Sequence, residues 1–136
     1  MARAWAKAAT ADTPGLTTLK RRAEFLRVRK GARFAAPAFV LEARMRSREE
    51  AAGRAAEKRA RFGFTVTKQI GKAVERNRIR RRLKAAIRHV GPGHARCEFD
   101  YVLIARRPAL TSAFAVIVSD LAKAFDRVNR APAGVR

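Results

Sequence analysis

The side chains best suited to chemistry in this 136-residue chain are arginines and lysines that crowd one short segment. From Lys68 to Lys84 the sequence runs Lys-Gln-Ile-Gly-Lys-Ala-Val-Glu-Arg-Asn-Arg-Ile-Arg-Arg-Arg-Leu-Lys. Like charges at helical spacing repel one another and weaken an isolated helix. Because guanidinium and ammonium groups bind phosphate oxygens, a polyanionic partner would offset that repulsion. The segment therefore favours phosphate recognition rather than bond cleavage.

A helix must position these cations. At about 100° per residue, the apolar residues from about Val74 to Val90 share one buried stripe, which consists of Ile79, Leu83, Ala86, Ile87 and Val90. Asn77, Arg80, Arg81, Lys84 and Arg88 fall on one flank of the stripe, and Arg78 and Arg82 on the other. Arg76, Asn77 and Arg78 lie in the first turn, where backbone amides help to hold an anion. Gly91-Pro92-Gly93 predicts the end of the helix.

The composition points in the same direction. The chain has 32 Lys+Arg against 11 Asp+Glu, a formal net charge of +21, while 48% hydrophobic residues allow a real core. So large an imbalance costs a folded domain self-repulsion, which indicates a polyanionic partner. A charge excess kept for solubility, and a cationic helix face without a specific partner, are the alternatives.

The sequence offers little for catalysis by the protein itself. Glu24, Glu42, Glu75 and Asp100 fall in different predicted elements, and Asp100 is expected to be a turn or cap residue. His94 and Cys97 have ligand-like spacing but lack further ligands, so we expect a loop histidine and a small packed thiol. We therefore predict no catalytic residue and no metal site in the protein.

Cysteine content and hydropathy bear on the compartment. A single cysteine, Cys97, cannot form an intrachain disulfide. No apolar run reaches membrane-spanning length, and no hydrophobic stretch follows Arg3 and Lys7 as in a secretory signal. We therefore expect a cytoplasmic protein with no membrane partner.

The remaining elements predict an α+β fold, a small two-layer α/β sandwich in the order α-β-β-β-α-β-α. Residues 1–16 are a predicted mobile tail, 17–130 a single RNA-binding domain and 131–136 a C-terminal tail. A helix is expected over 18–30 with Ala23, Leu26 and Lys30 on one stripe, Phe25 and Val28 close beside it, and Gly31 as its stop. Extended structure is expected over 34–45, with Pro37 at a strand start or bend and Phe39-Val40-Leu41 as its strongest strand signal. Further strands are expected over 61–67 and 100–105, with a charged connection at 47–60. A last helix, capped by Thr111 or Ser112, has the apolar face Phe114, Ile117, Val118, Leu121, Phe125 and Val128.

The strand at 61–67 alternates by side-chain type. Phe62, Phe64 and Val66 share one face, which should meet the core. Arg61, Gly63, Thr65 and Thr67 share the other face, where small or polar side chains leave room for a ligand to lie across the sheet.

In order and spacing, these motifs resemble the bacterial ribonuclease P protein family. The resemblance rests on Arg-Phe-Gly-Phe-Thr-Val-Thr-Lys at 61–68, Ile-Gly-Lys-Ala-Val at 70–74, Arg-Asn-Arg at 76–78 and Ile-Arg-Arg-Arg-Leu at 79–83. It extends to Leu19-Lys20 through Phe25, to Phe39-Val40-Leu41 and to 100–106, covering about residues 17 to 130. It implies a left-handed βαβ crossover, against the usual hand.

The resemblance also implies a function. In that family a large RNA subunit hydrolyses the phosphodiester with bound Mg²⁺, and the protein assists removal of the 5′ leader from precursor tRNA. Carried over by position, the contacts to the RNA subunit are Arg76, Asn77, Arg78, Arg80, Arg81 and Lys84. The leader cleft is lined by Arg22, Phe25, Arg29, Thr65, Thr67 and Lys68. The implied assembly is one protein with one ribonuclease P RNA.

Two residues depart from the family pattern. Glu42 and Arg29 stand where aromatics are often found, and an exposed carboxylate at 42 would repel phosphate. A ribosomal protein or RNA chaperone would share the charge and the arginine helix, and a DNA-compacting protein is a more distant alternative. Co-purification with one discrete RNA, with ribosomal subunits or with bulk DNA distinguishes the three.

Overall fold

The computed structural model describes residues 17–19, 21–46 and 60–130. The predicted tails, 1–16 and 131–136, lie outside the described residues, as does the charged connection apart from its last residue, Ala60. The proposed division of the chain into tails and domain therefore stays a prediction.

The described residues form a mixed sheet and three α-helices. In chain order they are β1 (Thr17–Thr18), α1 (Arg22–Arg29), β2 (Ala32–Ala35), β3 (Phe39–Met45), β4 (Arg61–Thr65), α2 (Ala73–His94), β5 (Phe99–Ala105) and α3 (Phe114–Arg130). Short 3-10 helices occupy Lys68–Ile70 and Arg107–Leu110. Apart from the two-residue β1, this is the predicted order, and the α+β fold class is confirmed.

The sheet has the strand order β1-β4-β5-β3-β2. Strand β3 is antiparallel to both β2 and β5, whereas β4 is parallel to β5 and to β1. Helix α2 therefore connects two neighbouring parallel strands, β4 and β5, in a βαβ unit. The hand of that crossover stays a prediction.

Helices α2 and α3 cover one face of the sheet and enclose the main core. The predicted stripe of α2 is buried throughout, and Ile117, Leu121, Phe125 and Val128 of α3 meet it. The Tyr101 ring stacks with the rings of Phe62 and Phe99, with centroid separations of 5.4 and 5.7 Å. It forms a T-shaped contact with Phe125, with the centroids 4.9 Å apart. Contacts of this kind stabilise a core beyond the area they bury.

Helix α1 covers part of the opposite face. A smaller cluster of Leu19, Val28 and Val102 lies beneath it, flanked by Phe25 and Ile104. The predicted stripe of Ala23, Leu26 and Lys30 is exposed rather than packed on the sheet. Val28, predicted beside that stripe, is buried together with Glu24. A hydrophobicity pattern misses this face of α1 because its first buried residue, Glu24, is a carboxylate that pairs with buried Arg61.

The end of α2 differs from the prediction. The helix continues through Gly91-Pro92-Gly93 to His94. The Ala95 N–H donates to the Gly91 carbonyl at 2.8 Å, and Asn129 Nδ2 of α3 donates to the His94 carbonyl at 2.7 Å. These bonds stabilise the last turn although Pro92 provides no N–H.

The start of α3 also differs. The Ala113 carbonyl accepts the N–H groups of Val116 and Ile117, so Ala113 occupies the cap position predicted for Thr111 or Ser112. The preceding residues fold into the 3-10 helix at Arg107–Leu110 and leave both hydroxyl residues before the helix. Phe114, predicted on the apolar face, is 39% exposed, and its ring lies in a T-shaped arrangement with the His89 ring, with centroids 6.4 Å apart.

Candidate RNA interface

The cationic side of α2, comprising Arg76, Asn77, Arg78, Arg80, Arg81 and Lys84, lies opposite the buried stripe and beside it. Asn77, Arg78 and Arg81 are exposed, and the other three are half-buried. Arg80 Nη1 donates to Asn77 Oδ1 at 2.9 Å, so the amide orients a neighbouring guanidinium. The structure thus places all six predicted residues along α2 outside its buried stripe, with Arg78 on the other flank from most of the rest.

Two other charged residues of the same segment serve the fold. Arg82 donates to the carbonyls of Ala109 and Leu110, at 2.9 and 3.0 Å, and to that of Ser112. Glu75 accepts hydrogen bonds from Arg107, at 3.0 and 3.3 Å, and from the Lys72 N–H, at 2.9 Å.

These contacts hold the 3-10 helix at Arg107–Leu110 against α2. The bonds from Arg107, helped by the Lys72 N–H, lower the pKa of Glu75 to about 2. Cationic density alone does not distinguish Arg82 from the residues that remain available to a ligand.

The second candidate surface lies on the face that α1 covers in part. The strand register aligns Arg33, Glu42, Val102 and Gly63 in one row beneath α1. The next row consists of Ala35, Val40, Ile104 and Thr65. Phe25 of α1 and Ile104 flank the same small cluster, so the Phe25 side of the helix borders the second row. We call the space between that side and that row the sheet groove.

Phe25 depends on a glycine beneath it. A Cβ placed on Gly63 would lie 2.4 and 2.6 Å from atoms of the Phe25 ring. Any larger residue at position 63 would therefore displace the ring. The absence of a side chain at position 63 lets the Phe25 ring approach β4 closely beside the sheet groove.

The other predicted leader residues are distributed around this groove. Arg22 and Arg29 are exposed on the Phe25 side of α1, and Thr65 is half-buried in the second row. Thr67 and Lys68 are exposed and follow the end of β4, so they extend beyond the groove rather than line its floor.

The two surfaces meet along β4. The Lys84 ammonium lies 5.7 Å from the centroid of the Phe64 ring, on the α2 side of this strand. Gly63 and Thr65, the neighbours of Phe64, face the groove on the other side because side chains alternate along a strand. One strand therefore separates the cationic side of α2 from the sheet groove.

A buried ionic network holds α1 on the sheet, and the sequence reasoning missed it. Arg61 donates to both Asp100 carboxylate oxygens, at 2.9 and 2.8 Å, and to Glu24 Oε2 at 3.0 Å. Arg46 Nη1 donates to Asp100 Oδ1 at 2.6 Å. All four side chains are at most 7% exposed, and the bonds to Asp100 raise the pKa of Arg61.

The network overturns two predictions. Asp100 is a buried strand residue rather than a turn or cap, and Arg61 does not offer an open surface to a ligand. The partners are 37 to 54 residues apart in sequence, so no local pattern pairs them.

Glu42 also differs from the prediction of an exposed carboxylate. It is 2% exposed and accepts a hydrogen bond from Arg33 Nη1 at 3.2 Å. Burial raises the pKa of Glu42, against the influence of Arg33 and Arg29.

The described residues contain no group of three His, Cys, Asp or Glu side chains that could hold a metal ion. Nδ1 of His94 lies 3.2 Å from the Val90 carbonyl oxygen. Cys97 is exposed rather than packed, because it lies in the turn before β5. Across the same part of the chain, no helix combines the length and hydropathy needed to cross a bilayer.

Comparison with known proteins identifies the family. The Ribonuclease P family model matches residues 14–129. The chain belongs to the ribonuclease P protein family. It is therefore a protein subunit of ribonuclease P, an endoribonuclease of tRNA processing. The ribonuclease P protein component of Brucella suis is 47% identical over 106 residues, spanning 77% of this chain and 74% of that protein. The component from Bartonella quintana is 42% identical over 105 residues, with 77% of both chains covered.

Solved structures agree with the fold. The ribonuclease P protein of Staphylococcus aureus superposes with a TM-score of 0.63 at 27% identity, covering 81% of this chain and 93% of that one. The protein from Thermotoga maritima gives a TM-score of 0.62 at 23% identity, covering 83% and 96%. The second likeness supports the fold alone.

Proposed function

We propose that this subunit binds the ribonuclease P RNA through the cationic side of α2 and holds the 5′ leader of precursor tRNA in the sheet groove. The RNA-subunit contacts are Arg76, Asn77, Arg78, Arg80, Arg81 and Lys84. The leader contacts are Arg22, Phe25, Arg29, Thr65, Thr67 and Lys68.

The meeting of the two surfaces at β4 carries this proposal. A single-stranded leader in the groove would be separated by β4 alone from an RNA subunit docked on α2. The protein would therefore bridge substrate and RNA subunit. The Phe25 ring beside exposed arginines combines stacking with neutralisation of backbone charge. That combination tolerates many sequences, as different precursor leaders require.

We assign hydrolysis to the RNA subunit. Mg²⁺, held mainly by the RNA, supplies the charge stabilisation for phosphodiester hydrolysis. In the protein, the buried carboxylates of Glu24 and Asp100 accept hydrogen bonds from Arg61. The protein binds the RNA subunit, orients the precursor leader and reduces the repulsion between the phosphates of these two RNAs. We propose that it acts in the cytoplasm as one protein per RNA.

Leader cleavage at low Mg²⁺ tests the proposal. Protein alone, the ribonuclease P RNA of the same organism alone, and both together are compared on one precursor tRNA. An Arg76→Ala/Arg78→Ala/Arg80→Ala variant tests the docking surface. A Lys123→Ala/Arg127→Ala/Arg130→Ala variant on α3 removes the same charge from exposed positions of another helix.

We expect cleavage from the combination alone, with the α2 variant impaired at least tenfold more than the α3 variant. An equal loss of cleavage in both variants would mean that total positive charge, rather than a specific docking surface on α2, promotes cleavage. If the combination cleaves no better than RNA alone, the proposed role is wrong, and a chaperone or ribosomal role would have to be considered.

A further inference from the structure

Glu42 and Arg33 face each other at the edge of the sheet groove and have no role in the proposal above. They are directly opposed on β3 and β2, and Arg33 Nη1 lies 3.2 Å from Glu42 Oε2. The carboxylate side chain is 3% exposed, whereas the arginine side chain is 60% exposed. The Arg33 guanidinium is therefore accessible to solvent, whereas the Glu42 carboxylate is buried.

Arg29 adds a second cation to the same place. It lies at the last residue of α1, and its charge acts on the carboxylate of Glu42 together with that of Arg33. Guanidinium has five N–H donors in a planar fork, so a bond to Glu42 leaves others for a further acceptor. The carboxylate at position 42 is thus under the influence of two arginines at the border of the groove.

We propose that Glu42 is a positioning residue that orients Arg33, and that Arg33 binds a backbone phosphate of the precursor leader. This inference rests on the leader site proposed above. The ligand class is a phosphodiester of single-stranded RNA.

The geometry favours orientation over repulsion. A carboxylate that is 2% exposed cannot meet an incoming phosphate at contact distance. Without it, a long arginine side chain on an edge strand would sample many rotamers, and binding would have to restrict them. A charge-assisted bond reduces this cost by holding the guanidinium in advance.

The two roles of Glu42 predict effects of opposite sign, which makes Glu42→Gln the decisive variant. If Glu42 repelled phosphate, its neutralisation would strengthen leader binding. If Glu42 orients Arg33, its neutralisation weakens leader binding although the net positive charge increases. Glu98→Gln is the matched control, because Glu98 is 42% exposed in an ion pair with Arg96 before β5.

The experiment measures the affinity of the reconstituted holoenzyme for one precursor tRNA with its leader and without it, over a range of salt concentrations. The variants are Glu42→Gln, Arg33→Ala, their combination and Glu98→Gln. Urea unfolding of each protein verifies that the fold is retained. The ratio of the two affinities isolates the leader contribution from docking on the RNA subunit.

We expect Arg33→Ala to reduce the leader contribution about tenfold, as loss of one charge-assisted phosphate contact predicts. The slope of log affinity against log salt should fall by about 0.7. Glu42→Gln should reduce the contribution roughly threefold, within the range for positioning effects. Glu42→Gln should have no further effect in the absence of Arg33, and Glu98→Gln should leave the ratio unchanged.

Stronger or unchanged leader binding in Glu42→Gln overturns the inference, and so does an unchanged ratio in Arg33→Ala. In either case a leader contribution in the wild type still supports the proposed groove. If the wild type binds both substrates equally, the leader site itself fails and the inference fails with it.

Discussion

At the residue scale, two glycines differ in whether a side chain would fit at their position. A Cβ on Gly31 would lie 2.0 Å from the Ala43 carbonyl oxygen and 3.1 Å from Arg44 Cα, which are backbone atoms of β3. Gly93, in the last turn of α2, has nothing within 4 Å of the corresponding position. Close approach to β3, rather than the predicted helix stop alone, explains the glycine at position 31.

We therefore predict that Gly31→Ala destabilises the protein by about 1–3 kcal/mol, because the β3 backbone must move. Gly93→Ala should be neutral or stabilising by up to about 1 kcal/mol, since alanine favours a helix. Urea unfolding measures both free energies. Equal stability of the two variants would contradict the close approach.

At the element scale, a buried ion network joins α1 to the sheet beside the small apolar cluster beneath it. Glu24 accepts the Arg21 N–H at its own helix start and pairs with Arg61 of β4. Arg61 and Arg46 converge on Asp100 of β5. Because α1 forms one side of the sheet groove, we expect the shape of the groove to depend on these ion pairs.

Asp100→Asn tests that dependence. It preserves the side-chain shape but leaves Arg61 and Arg46 buried without their shared anion, so we expect a loss of about 3–5 kcal/mol. Glu98→Gln, in an exposed pair with Arg96, should cost less than about 1 kcal/mol. Denaturant unfolding compares the two, and similar losses would show that the network contributes little.

At the scale of the whole molecule, charge repulsion opposes folding. The net charge of +21 remains after every Asp and Glu has been counted against a cation, and at 0.1 M salt only charges more than about 10 Å apart are largely screened from one another. We predict that raising KCl from about 0.02 M to about 0.3 M raises the thermal midpoint, because added salt screens this repulsion. The rise should be about 4 °C for each kcal/mol of stability gained.

The Arg76→Ala/Arg78→Ala/Arg80→Ala variant is the control. It should have a higher midpoint at low salt and a smaller rise with salt, since it lacks neighbouring like charges on one helix. A midpoint that falls with salt in the wild type would show that the ion pairs outweigh the repulsion.

Local periodicity was sufficient for much of this fold. The stripe of α2, from Ile79 to Val90, repeats every helical turn, and Phe62 and Phe64 alternate along β4, so neighbouring residues report the burial of each face. The order of elements and the cationic side of α2 follow from such patterns. The family resemblance added the expected roles of the two surfaces.

The tertiary structure alone decided where charge is buried. Glu24, Arg46, Arg61 and Asp100 are each typical of a solvated surface in sequence, and their partners are 37 to 54 residues away. The same holds for Glu42, which the sequence suggested as an exposed repulsive charge. A charge enters a protein interior only when an opposite charge meets it there, and that meeting depends on the packing of α1 and the strand register.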